Sequence, residues 1–290
     1  MSWRTVVISN RCKLDLKMGY LVVRGIETKR VFLDEIALLL IESTAVSLTC
    51  SLLSELTAKK IRVIFCDEKR NPTAELSPYY GCHDSPRKIK KQILWSEQNK
   101  GSVWTAIIAE KIGNQARLLE RMQKEKEAAL LQRYLTELEF GDATNREGHA
   151  AKVYFNALFG MDFGRRVPDD PINAALNYGY GLILSAVNRE VVSNGYLTQL
   201  GLFHDNTFNQ FNLSSDLMEP FRPLIDARVV QEQPEAFNTD VKHKMIALLH
   251  TSVRISNSEQ TVLNAIKLYV KSVFDALNAE DVSRIQFPVL

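Results

Sequence analysis

The chain has 290 residues, of which 46% are hydrophobic and 24% charged, and its net charge is +2. This composition provides for a large buried core and excludes wholesale disorder. Near-neutral charge means that any nucleic-acid-binding surface must be local. The sequence has no C-x-x-C pair, no signal-peptide pattern and no apolar run long enough to cross a bilayer. We therefore expect a soluble cytoplasmic protein with reduced thiols and no membrane partner.

The first 75 residues have the pattern of short β-strands. Gly19 lies between two candidate strands and supplies the permissive backbone that a hairpin turn needs. Residues 36–41 form a continuous apolar run, which fits a strand buried on both faces. Residues 51–60 instead place leucines at helical spacing. The pattern predicts a small β-sandwich or roll over residues 1–75, with a structural or dimerisation role.

Prolines and turn formers then predict a linker over residues 76–96. No proline occurs between Pro86 and Pro168, which favours several helices and no sheet. We therefore predict an α+β fold, in which residues 97–290 form a larger all-α catalytic domain.

Two helix starts can be read further along this domain. Asp169-Asp170-Pro171 is a helix start, because carboxylates and proline both suit the first turn. Gly179 and Gly181 lie inside the helix that follows, where we expect them to mark close helix packing. Ser256 and Glu259 have the spacing of a capping box and predict the start of another helix.

A basic stretch, residues 87–126, carries ten Lys or Arg and four Glu. It is either a solvated helix face or a surface that contacts phosphates. Four of its basic residues are clustered at its start: Arg87, Lys88, Lys90 and Lys91.

Glu147 lies at the start of a run of small and apolar residues. On a helix it shares a face with Ala151 and Tyr154, and the alanines let another segment approach. A carboxylate on such a face needs a partner, which is either a divalent cation or an arginine. His149 points away from this face, and we interpret it as a surface or packing residue.

Two downstream segments supply further candidate ligands. His204, in G-L-F-H-D, is a loop histidine that is either structural or a ligand. Asp216 and Glu219 are three residues apart, so on a helix they are neighbours. Asp216 can equally be a helix cap, with Pro220 in the first turn.

Two or three carboxylates and one imidazole form a ligand set that suits Mg²⁺ or Mn²⁺ better than zinc. Ions held in this way typically serve phosphodiester chemistry. The sequence contains no P-loop, no G-x-G-x-x-G and no nucleophilic Ser or Cys motif, so nucleotide-fuelled and acyl-transfer chemistry are disfavoured.

The combined pattern resembles the CRISPR-associated integrase family, the catalytic subunit of the spacer-acquisition machinery. The resemblance rests on Glu147 with its alanines and Tyr154, on His204 in G-L-F-H-D, and on D-L-M-E-P-F-R-P from Asp216 to Pro223. The order of the two domains also matches, and the last motif is similar to members from type II systems.

The resemblance implies metal ligands at Glu147, His204 and Glu219, with Asp216 as a further catalytic position. It implies a Mg²⁺- or Mn²⁺-dependent DNA integrase and endonuclease, which joins the 3′-hydroxyls of a short duplex to the CRISPR repeat. The family works as a homodimer, and two dimers flank a dimer of a small ferredoxin-like subunit. The effector nuclease and other adaptation proteins of the same system are further candidate partners.

The same resemblance makes the basic stretch a candidate DNA track. The candidate DNA contacts are Arg87, Lys88, Lys90, Lys91, Arg146 and Arg222. The alternative function is a DNA-binding scaffold without catalysis, in which the acidic residues are only caps and ion pairs. A metal-dependent RNA nuclease is a third hypothesis.

Overall fold

The computed structural model describes residues 4–68, 70, 72–76, 82–165, 167 and 170–290. The chain divides into two compact units, residues 1–83 and 84–290. The first contains two β-sheets and the second is mainly helical, which confirms the predicted α+β class. None of the helices in the described ranges is long and apolar enough to cross a membrane.

The first unit is built from short strands, with one α-helix among its described residues. These elements are β1 Arg4–Ile8, β2 Cys12–Lys17, β3 Tyr20–Arg24, β4 Thr28–Phe32, β5 Ile36–Ile41, β6 Val46–Leu48, α1 Cys50–Ala58, β7 Arg62–Cys66 and β8 Pro72–Leu76. One sheet has the order β1-β5-β7-β8 and the other β4-β3-β2-β6. In the first sheet β1, β5 and β7 are parallel, while β8 is antiparallel to β7.

Strand β5 lies between two parallel neighbours, and all six of its residues are buried, as its apolar run predicts. Leu14 of β2 and Leu21 of β3 join the same core cluster as Leu39 of β5 and Val63 of β7. The two sheets therefore share one hydrophobic core.

The second unit contains most of the helices described. Its elements are α2 Ser85–Ile93, α3 Glu97–Arg121, α4 Glu125–Thr136, α5 Arg146–Phe159, α6 Pro171–Ser193, α7 Asn212–Leu217, α8 Arg222–Glu232, α9 Thr239–Leu248, β9 Ser252–Ile255, β10 Ser258–Thr261 and α10 Val262–Ala279. Helix α2 falls inside the stretch predicted as a linker, of which residues 77–81 lie outside the described residues.

Helix α6 begins where its sequence predicts. Pro171 is in its first turn, and Oδ2 of Asp170 accepts a hydrogen bond from the backbone N–H of Asn173 at 2.8 Å. Asp169 lies outside the described residues. A Cβ at Gly179 would lie 2.4 Å from Cγ2 of Ile225, whereas one at Gly181 would have nothing within 4 Å. The predicted close packing is confirmed at Gly179 and wrong at Gly181.

The predicted capping box at Ser256 and Glu259 is wrong. Ser256 and Asn257 have φ of 51° and 59° and form the turn between β9 and β10. Two consecutive left-handed residues suit a tight hairpin turn and not a helix start. Helix α10 begins after this hairpin, with Thr261 accepting from the backbone N–H of Asn264 at 3.3 Å.

Candidate metal centre in the helical unit

Glu147 stands in the first turn of α5, and two side chains fix that turn. Asn145 has a left-handed backbone, with φ of 53°, and accepts from the N–H of Gly148 at 3.3 Å. The buried Asp142 accepts from the N–H groups of Arg146 and Glu147 at 2.6 and 3.1 Å. These bonds satisfy donors that a helix start leaves open, so the position of Glu147 is well defined.

Lys111 of α3 joins Glu147 to Glu219. Its Nζ binds Oε1 of Glu147 and lies 2.5 Å from Oε2 of Glu219. The side chain of Lys111 is only 7% exposed. Burial alone would lower the pKa of its ammonium, but Glu219 and Glu147 outweigh burial and the pKa is raised. Lys111 is therefore a buried cation between two carboxylates.

Glu219 lies in a 3₁₀ turn, Glu219–Phe221, between α7 and α8. Its Oε1 binds Nε of Arg222 at 2.9 Å, and Asn114 of α3 donates to the carbonyl of Pro220 at 3.1 Å. Burial would raise the pKa of the Glu219 carboxyl, but Arg222, Lys111 and His204 outweigh it and hold the pKa low. Glu219 is thus an anion fixed by the turn.

Asp216 is not a helix cap, because it lies in the last turn of α7 and not at its start. Its buried carboxylate accepts from the backbone N–H groups of Leu202, Phe203 and His204 at 2.6, 3.1 and 3.2 Å. A Cβ at Gly201 would lie 2.2 Å from the carbonyl oxygen of His204, so the loop requires glycine there. Asp216 therefore shapes the loop that carries His204.

His204 is held by the same carboxylate. Its Nδ1 lies 2.5 Å from Oδ1 of Asp216, and since Asp216 is an acceptor throughout, Nδ1 carries the proton and Nε2 is the other ring nitrogen. The hydrogen bond to Asp216 raises the pKa of His204 against burial, and the charges of Glu219 and Glu147 raise it further. The edge-on ring of Trp104, 5.8 Å away between centroids, also packs against His204.

A buried polar network lies behind these residues. Asp226 of α8 accepts from the hydroxyls of Tyr154, at 3.0 Å, and Tyr180. Burial raises the pKa of Asp226 to about 6, although both tyrosine hydroxyls and Arg222 act to lower it. The guanidinium of Arg222 lies 4.7 Å from the centre of the Tyr180 ring, which links this network to Glu219.

The sequence pattern does not indicate three of these residues. It shows Lys111 only as part of the basic stretch, and neither Asp142 nor Asp226 belongs to a motif. Asp142 has only a weak sequence signal. It lies three residues before the cap Asn145, where an aspartate can accept from the first N–H groups of a helix. Nothing in the sequence shows that Lys111 faces inward, because its role depends on which helices pack against α3.

The side chains of Glu147, Glu219 and His204 offer the kinds of ligand atom that a hard divalent ion binds. Two carboxylates and one imidazole are ligands that Mg²⁺ and especially Mn²⁺ accept. Oε2 of Glu219 is buried and contacts Lys111 as an ion pair, without accepting a well-formed hydrogen bond. Across the described residues, the ligand atoms of Glu147, His204 and Glu219 are not gathered within 4.8 Å of one another. The ammonium of Lys111 stands between the carboxylates in this arrangement.

The candidate DNA contacts are found in different surroundings. Lys90 and Lys91 are exposed on α2, whereas Arg87 and Lys88 both pair with Asp84. Arg146 pairs with Glu137 at 3.2 Å and lies over the ring of Tyr134. Arg222 directs its charge at Glu219 and Tyr180, as described above. His149 is exposed, in line with its interpretation as a surface residue.

A cavity of about 480 Å³ lies beside the site and shares His204 with it. Phe203 is 54% exposed and stacks at 4.7 Å on the buried ring of Trp104. Gln92 of α2 holds the adjoining loop through the backbone of Leu197 and Leu200. The loop that carries His204 is therefore supported from both sides.

Three solved structures share this fold. A casposase bound to its integration product matches with a TM-score of 0.78 and 17% identity, over 98% of this chain and 93% of the casposase. A Cas1 protein from Thermotoga maritima matches with a TM-score of 0.77 and 17% identity, over 94% and 97% of the two chains. A chain of a Cas6-RT-Cas1–Cas2 complex matches with a TM-score of 0.76 and 17% identity over 98% of this chain, which spans 36% of that longer chain. At such identity these likenesses define the fold class.

The family follows from the sequence comparisons. The family model described as CRISPR associated protein Cas1 matches residues 5–247. The CRISPR-associated endonuclease Cas1 of Neisseria meningitidis serogroup C is 33% identical over 99% of this chain and 96% of its own length. The corresponding protein of Francisella tularensis subsp. novicida is 24% identical over 90% and 88%. The chain belongs to the Cas1 family, which confirms the resemblance drawn from the sequence.

Proposed function

We propose that this protein is a metal-dependent DNA integrase and endonuclease of CRISPR adaptation. It joins the 3′-hydroxyl ends of a short DNA duplex to the CRISPR repeat. Family membership and the names of its relatives, endonucleases and a casposase bound to an integration product, support this class of activity.

The observation that carries the proposal is the acidic cluster itself. Glu147 and Glu219 reach one shared cation from different elements, and His204 is close enough to both for their charges to raise its pKa. Glu219 is buried and Glu147 is half-buried, and two such anions are costly to hold together without a cation between them.

Glu147, Glu219 and Nε2 of His204 would hold Mg²⁺ or Mn²⁺. Such an ion polarises a phosphodiester and stabilises the attacking and leaving oxygens. Asp216 keeps the proton of His204 on Nδ1, and it orients the ring through the loop. Arg222 keeps Glu219 ionised and in place.

The joining step is a transesterification. The 3′-hydroxyl oxygen attacks a repeat phosphorus and loses its proton, while one existing P–O bond breaks and its oxygen leaves and takes up a proton. The number of phosphodiester bonds is unchanged, so no nucleotide fuel is required. When water attacks instead, the same site cuts DNA.

The names of the structural relatives support a Cas2-type partner and a DNA substrate. One of these relatives is a complex whose name includes Cas2, and another is bound to an integration product. We infer that this chain forms a homodimer, works with a small Cas2-type subunit in a two-dimers-to-one-dimer assembly, and takes double-stranded protospacer and repeat DNA as substrates.

The proposal is tested by joining of a labelled duplex to a repeat-bearing plasmid in Mg²⁺ or Mn²⁺. Glu147→Ala and His204→Ala should each reduce joining at least a hundredfold, while circular dichroism and melting remain close to those of the wild type. Glu232→Gln is the matched control, because Glu232 also binds a lysine, Lys244 at 2.7 Å, but on the far part of α8. Full joining by both alanine variants would overturn the assignment and favour the scaffold hypothesis.

A further inference from the structure

Lys111 contacts the carboxylate oxygens that a divalent ion would need as ligands. Arg222 binds Oε1 of Glu219, so Oε2 is the oxygen that faces the rest of the cluster. Lys111 contacts that Oε2 and Oε1 of Glu147 with a single nitrogen atom. The point between the two carboxylates is therefore filled by an ammonium group.

One position cannot hold both cations. Mg²⁺ keeps its oxygen ligands at about 2.1 Å, so two ligands of one ion lie within about 4.2 Å of each other. The ammonium nitrogen of Lys111 contacts Oε1 of Glu147 and Oε2 of Glu219, so it occupies the point between them where such an ion would lie. An ion that binds Glu147 and Glu219 together must take the place of the ammonium group.

We propose that Lys111 is a resident cation that holds Glu147 and Glu219 in the metal-free protein and is displaced when the divalent ion binds, and so sets the metal affinity. This inference rests on the proposed function, because it takes these carboxylates as metal ligands. In the metal-free protein Lys111 offsets the repulsion between the buried Glu219 and the half-buried Glu147, which otherwise would be left facing each other. The displaced ammonium remains on α3 beside the site.

The opposite role gives the opposite result. If Lys111 only braced the two carboxylates for the ion, its removal would weaken metal binding. If the ion competes with Lys111, its removal strengthens metal binding. The sign of the change in affinity therefore distinguishes the two roles.

The experiment is calorimetric titration of the metal-free full-length protein with Mn²⁺. Lys111→Met keeps the aliphatic stem and removes the charge, and we expect it to bind Mn²⁺ at least tenfold more tightly than the wild type. The matched control is Lys100→Met on the same helix, whose ammonium pairs with the exposed Glu97 at 2.5 Å. This control should bind Mn²⁺ as the wild type does. Unchanged or weaker binding by Lys111→Met would overturn the inference.

Melting provides a second readout that needs no activity. In EDTA, Lys111→Met should melt below the wild type, and Mn²⁺ should raise its melting temperature by more than it raises that of the wild type. Lys111→Gln, which can still donate to one carboxylate, serves if the methionine variant does not fold. An Mn²⁺-induced rise no larger than in the wild type for the folded variant would contradict displacement.

Failure of the proposed function would look different. If the wild type binds Mn²⁺ and Lys111→Met binds it more tightly, but neither joins DNA, the inference stands and the proposed function fails. If neither protein binds Mn²⁺, the metal site and the inference both fail. If only Lys111→Met binds Mn²⁺, competition by Lys111 is supported in its strongest form.

Discussion

Individual buried charges determine how the acidic cluster behaves. Lys111 and Arg222 hold Glu219 as an anion, whereas Asp226 has two tyrosine hydroxyls as its direct partners. The result is opposite shifts for two carboxyls on neighbouring turns: the pKa of Glu219 is lowered and that of Asp226 is raised to about 6. The surroundings, and not the residue type, set the direction in which the pKa of each carboxyl shifts.

Asp226 should make the folding stability depend on pH. Its pKa rises from 3.8 to about 6 on folding, so the folded state binds the proton more tightly than the unfolded state. A raised pKa contributes stability that is complete below the unfolded pKa and is lost as the pH rises through the folded pKa. A shift of about two units corresponds to roughly 3 kcal/mol, as an order of magnitude.

The variant Asp226→Asn removes this titration. We expect the unfolding free energy of the wild type, minus that of the variant, to fall by on the order of 3 kcal/mol between about pH 4 and pH 6.5. Urea unfolding of both proteins across that range measures the difference. A difference that is flat with pH would contradict the account of Asp226.

At the scale of elements, the contact between α6 and α8 fixes the helices that carry Tyr180 and Asp226. Gly179 of α6 lets Ile225 of α8 approach so closely that a methyl group would overlap it. Ile225 is fully buried and follows Pro223 and Leu224, so it has little room to move. The packing at Gly179 therefore holds the network behind the acidic cluster.

Two alanine substitutions on the same helix test this contact. Gly179→Ala should lower the unfolding free energy by about 1–3 kcal/mol through overpacking. Gly181→Ala meets nothing within 4 Å and should be neutral or stabilise by up to about 1 kcal/mol, because alanine favours the helix. Equal effects of the two substitutions in denaturant unfolding would show that the α6–α8 contact is not close-packed.

Elements with a strong local signal could be predicted from the sequence. The start of α6 could be predicted, because Asp and Pro lie at its first turn. The hairpin at Ser256 could not be predicted, because the same polar residues occur both in capping boxes and in left-handed turns. The position of Lys111 depends on packing between distant helices, and no local pattern encodes it.

For the whole molecule, a net charge of +2 gives little general attraction to DNA. Binding must depend on local groups, and several basic residues of the stretch 87–126 are already engaged. Lys111 is buried, Arg117 pairs with Glu110 at 2.6 Å, and Arg121 binds the carbonyl of Leu290. In the cluster at its start, Lys90 and Lys91 on α2 are exposed, as is Arg87, which pairs with Asp84.

We expect Lys90→Ala with Lys91→Ala to weaken duplex DNA binding and its salt dependence together. Each lost phosphate contact should reduce the slope of log affinity against log salt by about 0.9. Fluorescence anisotropy at several salt concentrations measures the slope. The paired control is Lys267→Ala with Lys271→Ala, which changes two exposed residues of α10. An equal loss of DNA affinity in both double variants would mean that α2 has no special part in the DNA track.

Glu147, His204 and Glu219 are proposed to form one metal site that joins a DNA 3′-end to the repeat. The most direct measurement follows a labelled duplex whose 3′-ends carry either a hydroxyl or a dideoxy sugar, incubated with repeat DNA, the Cas2-type partner and wild-type protein or Glu219→Gln. We predict a covalent joined product only with wild-type protein, a 3′-hydroxyl and Mg²⁺, and none in EDTA. A joined product formed equally well by Glu219→Gln, or in EDTA, would contradict the claim.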